Sequence, residues 1–186
     1  GEPLVEPTYT VNDALAAIKL LRPVRYGEQL QVAEGIDLRM TDIGHLLGSA
    51  AIELWLTEGE TTKKIVFSGD VGNTNQPIIN DPKFVEETDY LVIESTYGDR
   101  IHGERPQYVE QLTRIIQQTF DRGGNLVIPA FAVGRTQELL YLIRTIKERG
   151  LLRGHEDFPV YVDSPLAVEA TRIYSDDKAM FSFCDE

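Results

Sequence analysis

The chain has 186 residues, 42% of them hydrophobic, and a formal net charge of −12. That length suits one sizeable domain, or one domain and part of another, and the composition is ordinary for a soluble protein. The charge argues against coating nucleic acid through bulk positive potential, and one cysteine, Cys184, excludes an internal disulfide or a multi-thiolate zinc site.

In chain order, the opening GEPLVEPTYT lacks the basic start and apolar core of a signal peptide. No later run approaches the ~18 apolar residues of a membrane helix, so the expected setting is cytoplasm, with no membrane partner. Thr10 is a candidate N-cap for a helix over residues 11–21, which Pro23 must stop. Five runs with strand character follow: QLQVA, IDLRMTDI, AAIELWL, KKIVFSG and DYLVIES. The last two carry consecutive apolar residues, the pattern of strands covered on both faces. After residue 100 the rhythm changes. Helical patterns over 107–124, 134–150 and 165–177 alternate with strand-like NLVIPA and PVYVDS. This βαβ alternation predicts a parallel sheet. Two units are expected, strand-rich over 1–100 and α/β over 101–186.

Three of the strand-like runs end in a residue able to bind a metal or move a proton: His45, Asp70 and Glu94. Ligands in layered α/β proteins collect outside the carboxyl ends of strands. Gly44 and Gly48 flank His45, and Gly69 and Gly72 flank Asp70, permitting sharp turns and close backbone approach. An imidazole and two carboxylates on one rim suit a hard-to-borderline metal. On residue types alone, ordinary turn chemistry explains His45 and Asp70 equally well and is the commoner cause. His102 is open to two readings, approach to a substrate phosphate or a solvated turn. Arg135 and Thr136 open a helix whose free amides are suited to a phosphate, and Arg100, Arg105 and Arg172 add charge in the same half. His155 reads as loop surface and Asp163 as a structural turn or a functional strand end. No Gly-x-x-x-x-Gly-Lys-Ser/Thr loop is present, which argues against an NTPase.

Five blocks occur in a telling order: TDIGHLLGSAAIEL, IVFSGDVGN, YLVIESTYGDRIH, GGNLVIPAFAVGRTQELLYLI and VYVDSPLA. Together they resemble the metallo-β-lactamase-fold nucleases with an inserted β-CASP domain, the group of RNase J-like enzymes and the pre-mRNA 3′-end-processing endonuclease. The resemblance implies an α/β fold: the second part of an αββα metallo-β-lactamase core over 1–100, then the first part of a β-CASP domain with a parallel sheet over 101–186. It also implies a zinc-dependent ribonuclease acting on RNA, with His45 a ligand of one zinc and Asp70 a catalytic carboxylate bridging two. Glu94 becomes the catalytic acid that orients a later histidine, while His102, Arg135 and Thr136 stay substrate-binding candidates on their position alone. A ligating His45 is neutral and donates its other ring N–H to a second acceptor.

The sequence departs from that family where it lacks the earlier His-x-His-x-Asp-His run, and its only histidines are His45, His102 and His155. An internal fragment is therefore expected, with few or no zinc ions of its own and no activity in isolation. Exposed sheet edges would favour self-association. Two rival functions remain open: a non-catalytic RNA-binding or scaffolding paralogue, and a metallo-hydrolase of small esters or thioesters.

Overall fold

Thr10 opens the first helix as its residue type predicts. In the computed structural model, which describes residues 7–101, 103 and 106–176, α1 spans Val11–Ile18. The Thr10 amide donates to the Asp13 carboxylate at 2.8 Å, and the Asp13 amide donates back to Thr10 Oγ1 at 3.4 Å. This reciprocal cap fixes the start. The helix ends at Ile18, three residues earlier than the pattern predicts, and tightens there through Leu20 N donating to the Ala17 carbonyl. None of its residues is buried, so no packing extends it beyond what the cap supports.

Five strands follow: β1 Gln29–Ala33, β2 Ile36–Asp42, β3 Ala50–Glu58, β4 Thr61–Phe67 and β5 Tyr90–Val92. They form one sheet in sequence order, with antiparallel pairs from β1 to β4 and a parallel β4–β5 pair. In the register Arg39 faces Glu53, and Trp55 faces Lys64. Side chains directly opposite share a face, so one face carries Arg39, Thr41, Glu53, Trp55 and Lys64. Glu53 is fully buried there. Its carboxylate accepts from Arg39 Nε at 2.8 Å and Nη2 at 2.7 Å, from Thr41 Oγ1 at 2.6 Å and from Lys64 Nζ at 2.7 Å. Burial alone raises a carboxyl pKa, but these donors outweigh it and bring Glu53 down to about 2. Arg39 and Lys64 also flank the Trp55 ring at 5.1 and 5.0 Å. Beside the cluster lies a recess of about 280 Å³ whose other wall is the Phe84–Glu87 segment.

The expectation that the last two strands are covered on both faces is corrected. Val66 is buried, but Phe67 and all three β5 residues are exposed. Their consecutive apolar residues occupy the sheet's end, where among the described residues β5 has a neighbour on one side only.

Beyond residue 100, α2 spans Tyr108–Phe120, α3 Arg135–Glu148 and α4 Pro165–Asp176, close to the expected limits. Ile116, Ile146, Leu152 and Phe158 form the core of this half, with Val109, Leu112, Phe120, Leu126 and Ile143 packed around it. Lys147 Nζ reaches over the Phe158 ring and donates to its carbonyl at 2.8 Å. NLVIPA and PVYVDS take no place in a sheet among the described residues, so the parallel pairing lies between β4 and β5 instead. Strand character in these segments is latent. A ladder needs a partner on the hydrogen-bonding side, and Val127 and Tyr161 are each 85% exposed.

Candidate active site

The site is built at one rim of the sheet, where β2, β4 and β5 deliver their carboxyl ends. Asp42 closes β2 and accepts the Gly44 amide at 3.0 Å, which starts the turn. Ser49 closes it from the other side, its Oγ accepting the amides of His45 at 3.1 Å and Leu46 at 3.2 Å. Tyr26 donates its hydroxyl to the Ser49 carbonyl at 2.8 Å. The bend depends on its glycines. Gly44 has φ +65°, and a Cβ there would strike the Asn80 carbonyl and Pro82. Gly72 donates its amide to the Ile43 carbonyl at 2.9 Å, and a Cβ on Gly72 would run into the Gly44 carbonyl. The loops that carry His45 and Asp70 are thus pressed backbone to backbone, a contact only glycine permits.

That contact sets His45 Nε2 3.9 Å from Asp70 Oδ2, with both side chains open to solvent. Glu94 joins from β5. Its amide donates to Ser68 Oγ at 3.0 Å, and its Oε1 accepts the Val71 amide at 3.0 Å. Oε2 accepts the Thr96 amide at 3.2 Å. The Val71 amide, then Thr96, hold the Glu94 carboxyl below the usual carboxylate range, and a charged His45 lowers it further. Ser68 is itself buried, bonded through its own amide to the Val92 carbonyl. Glu94 therefore grips the loop that carries Asp70, and His45 and Asp70 approach each other beside it. Among the described residues, neither ring nitrogen of His45 makes a hydrogen bond, so the expected second acceptor is not found there. No group of three or more His, Cys, Asp or Glu side chains placed to hold a metal occurs among the described residues either.

The second half meets this rim directly. Gly134, at φ +84°, lies so close to Leu46 that a Cβ would collide with its side chain. Arg135 and Thr136 consequently begin α3 beside the His45 loop. Their side chains are engaged locally, Arg135 with Glu138 and Thr136 Oγ1 with the Phe131 carbonyl at 2.7 Å. His155 lies elsewhere, its Nε2 3.1 Å from Asp121 Oδ1 and its ring edge-on to Phe120 at 5.6 Å. His102 and Arg105 fall outside the described residues. Arg100 pairs with neighbouring Asp99, and Arg172 with Glu169.

Sequence reading missed two residues at the rim's foundations. Gln137 is 4% exposed, and Tyr174, also 4%, accepts the Leu47 amide on its hydroxyl at 3.3 Å. A polar residue among apolar ones at helical spacing was the available signal for Gln137. Tyr174 carried none, because its partner lies 127 residues away.

Comparison with known proteins places these features in context. The profile of the Beta-Casp domain matches residues 136–183. Ribonuclease TTHA0252 of Thermus thermophilus is 37% identical over 169 residues, covering 91% of this chain and 37% of that protein. An RNase J-like protein of Methanocaldococcus jannaschii is 36% identical, covering 89% of this chain and 38% of its own length. The transcription termination factor FttA of the same organism is 34% identical, over 91% of this chain and 26% of its own. The chain thus spans about a quarter to two-fifths of the relatives it matches.

Proposed function

The chain belongs to the β-CASP proteins of the metallo-β-lactamase fold, and from that premise we propose that the intact protein is a metal-dependent ribonuclease. One observation carries the reading: His45 and Asp70 arrive from different strands to stand 3.9 Å apart, held there by two glycines in backbone contact. Relatives named as ribonuclease and RNase J-like protein support RNA as the substrate. We place the domain boundary near residue 100, with the metal ligands before it and the RNA-facing helix after it, and the protein in the cytoplasm.

The donor set fits a share of a zinc site. A neutral imidazole nitrogen and a carboxylate oxygen are both zinc ligands, and two bonds of about 2.0–2.2 Å are able to span the gap between them. Zinc ions held at this rim would lower the pKa of a bound water and stabilise charge on a phosphate under attack. His45 serves as a ligand in its neutral form, and Asp70 offers two oxygens to one or two cations. Glu94 keeps its charge, fixes the Asp70 loop through Val71, and adds negative potential beside His45. Arg135 and Thr136 stand where the amide end of α3 meets the rim, and a phosphate is favoured at a helix N-terminus. The remaining ligands lie outside the group gathered by the described residues.

The test is RNA cleavage by the intact protein carrying His45→Ala or Asp70→Asn. Each is expected to lose at least about 100-fold in rate, the scale on which even outer partners of a metal site act. Cleavage within twofold of the parent in both variants would overturn the reading. A non-catalytic RNA-binding or scaffolding role is the rival reading. It predicts unaltered RNA binding together with no cleavage by the parent. Thioester hydrolysis in preference to RNA would instead favour a small-molecule hydrolase.

A further inference from the structure

Resting on the reading of His45 as a metal ligand, we propose that Tyr174 is a positioning residue for it, held in place by Gln137. The loop from Gly44 to Ser49 is secured internally by Ser49 and laterally by Gly72, yet its middle residues are held from the other half of the chain. The Leu47 amide donates to Tyr174 Oη, and Leu46 packs against Gly134. Tyr174 sits on α4 and Gly134 at the start of α3, so the loop's position depends on how these helices are joined.

Gln137 joins them. Its Oε1 accepts the Gly134 amide at 2.7 Å. Its Nε2 donates to the Ala132 carbonyl at 3.0 Å and Thr171 Oγ1 at 3.0 Å, with the Ala167 carbonyl at 3.4 Å. Thr171 is in turn bonded to the Ala167 carbonyl at 2.7 Å. One buried amide therefore ties the Gly134 turn to α4 at the Thr171 hydroxyl, one turn before Tyr174, and at the Ala167 carbonyl, two turns before it. The two contacts on the His45 loop, an apolar one at Leu46 and a hydrogen bond at Leu47, are parts of a single braced unit. Tyr174 touches neither His45 nor Asp70 but fixes the backbone two residues from the imidazole. This arrangement lets the second half set the separation of the candidate ligands in the first. The phenol is buried, so its hydroxyl is held in one orientation by packing.

Tyr174→Phe removes the hydroxyl and keeps the ring. In the intact protein, titration with Co(II), a spectroscopic stand-in for zinc, reads ligand placement without turnover. The variant is expected to bind Co(II) about 10- to 100-fold more weakly, with an altered visible absorption spectrum. In metal-free protein its Leu47 amide is expected to exchange roughly fivefold to tenfold faster, the equivalent of one net hydrogen bond. Ile146→Val, a core change remote from the loop, controls for general loosening and is expected to leave Co(II) binding unchanged. If His45→Ala abolishes Co(II) binding while Tyr174→Phe keeps the parent's affinity and spectrum, the positioning role is overturned and the metal reading stands. If the parent takes up no Co(II), or His45→Ala binds it as tightly as the parent, both are overturned. Weakened Co(II) binding in Ile146→Val equal to that in Tyr174→Phe also overturns the positioning role.

Discussion

Replacing Glu53 by Gln removes a charge from the buried face of the sheet while preserving side-chain shape. In the parent, burial opposes ionisation, but Arg39, Lys64 and Thr41 bring the Glu53 pKa from 4.5 to about 2. A displacement of that size is worth about 3 kcal/mol to the folded state at neutral pH, at ~1.4 kcal/mol per pH unit. The independent expectation for breaking a buried pair is roughly 3–5 kcal/mol. The lower end applies, because Arg39 is 36% exposed and regains water, whereas Lys64 is 15% exposed and regains little. The folded pKa is depressed, so this stability is complete above pH 4.5 and fades as pH falls toward 2. Urea unfolding at pH 7 and pH 3 measures it, followed through Trp55, the sole tryptophan, which lies between the two cations. Glu53→Gln is expected to be less stable than the parent by about 3 kcal/mol at pH 7 and by only about 1 kcal/mol at pH 3, one pH unit above the folded value. A gap of the same size at both pH values would refute the charge argument. A gap under ~0.5 kcal/mol at pH 7, the scale of an ordinary surface change, would refute the burial argument as well.

Two further outcomes follow from packing. Gly72→Ala is expected to cost about 2–3 kcal/mol by chemical denaturation, because the new methyl meets the Gly44 carbonyl and neither backbone yields cheaply. Ile146→Ala, at the fully buried centre of the helical half, is expected to cost about 3–4 kcal/mol in the same assay.

Most of the sheet was legible because its signals are local. QLQVA coincides with β1, and the other four runs match their strands to within a few residues. Thr10 capped its helix because an N-cap and its N3 partner are only three residues apart. Reading failed where structure depends on partners distant in sequence. NLVIPA and PVYVDS have β-prone residues, yet strand formation requires a neighbour that their sequence does not specify. DYLVIES looked doubly covered because apolar runs report potential burial, not what packs there. The candidate site divides along the same line. His45, Asp70 and Glu94 were visible as residue types at strand ends. Their gathering on one rim was expected from those strand ends, but the Gly44–Gly72 contact that presses the His45 and Asp70 loops together was not. Gln137 and Tyr174 act across 34 and 127 residues, distances over which no periodicity carries information.

The parallel strand β5 is three residues long and half exposed, and it reaches β4 only across the whole connection from residue 68 to 89. β2, β3 and β4 bury more of their residues and are joined by shorter loops, so β5 opens at a lower free energy than these central strands. Opening it releases together the bond from the Ser68 amide to Val92, the Glu94 amide from Ser68, and the Val71 amide from Glu94. Those three bonds tie the Ser68–Val71 turn, which carries Asp70, to β5 and Glu94. The rim is therefore expected to loosen before β2–β4 do, read as faster amide exchange at Val71 and Glu94 than in those strands.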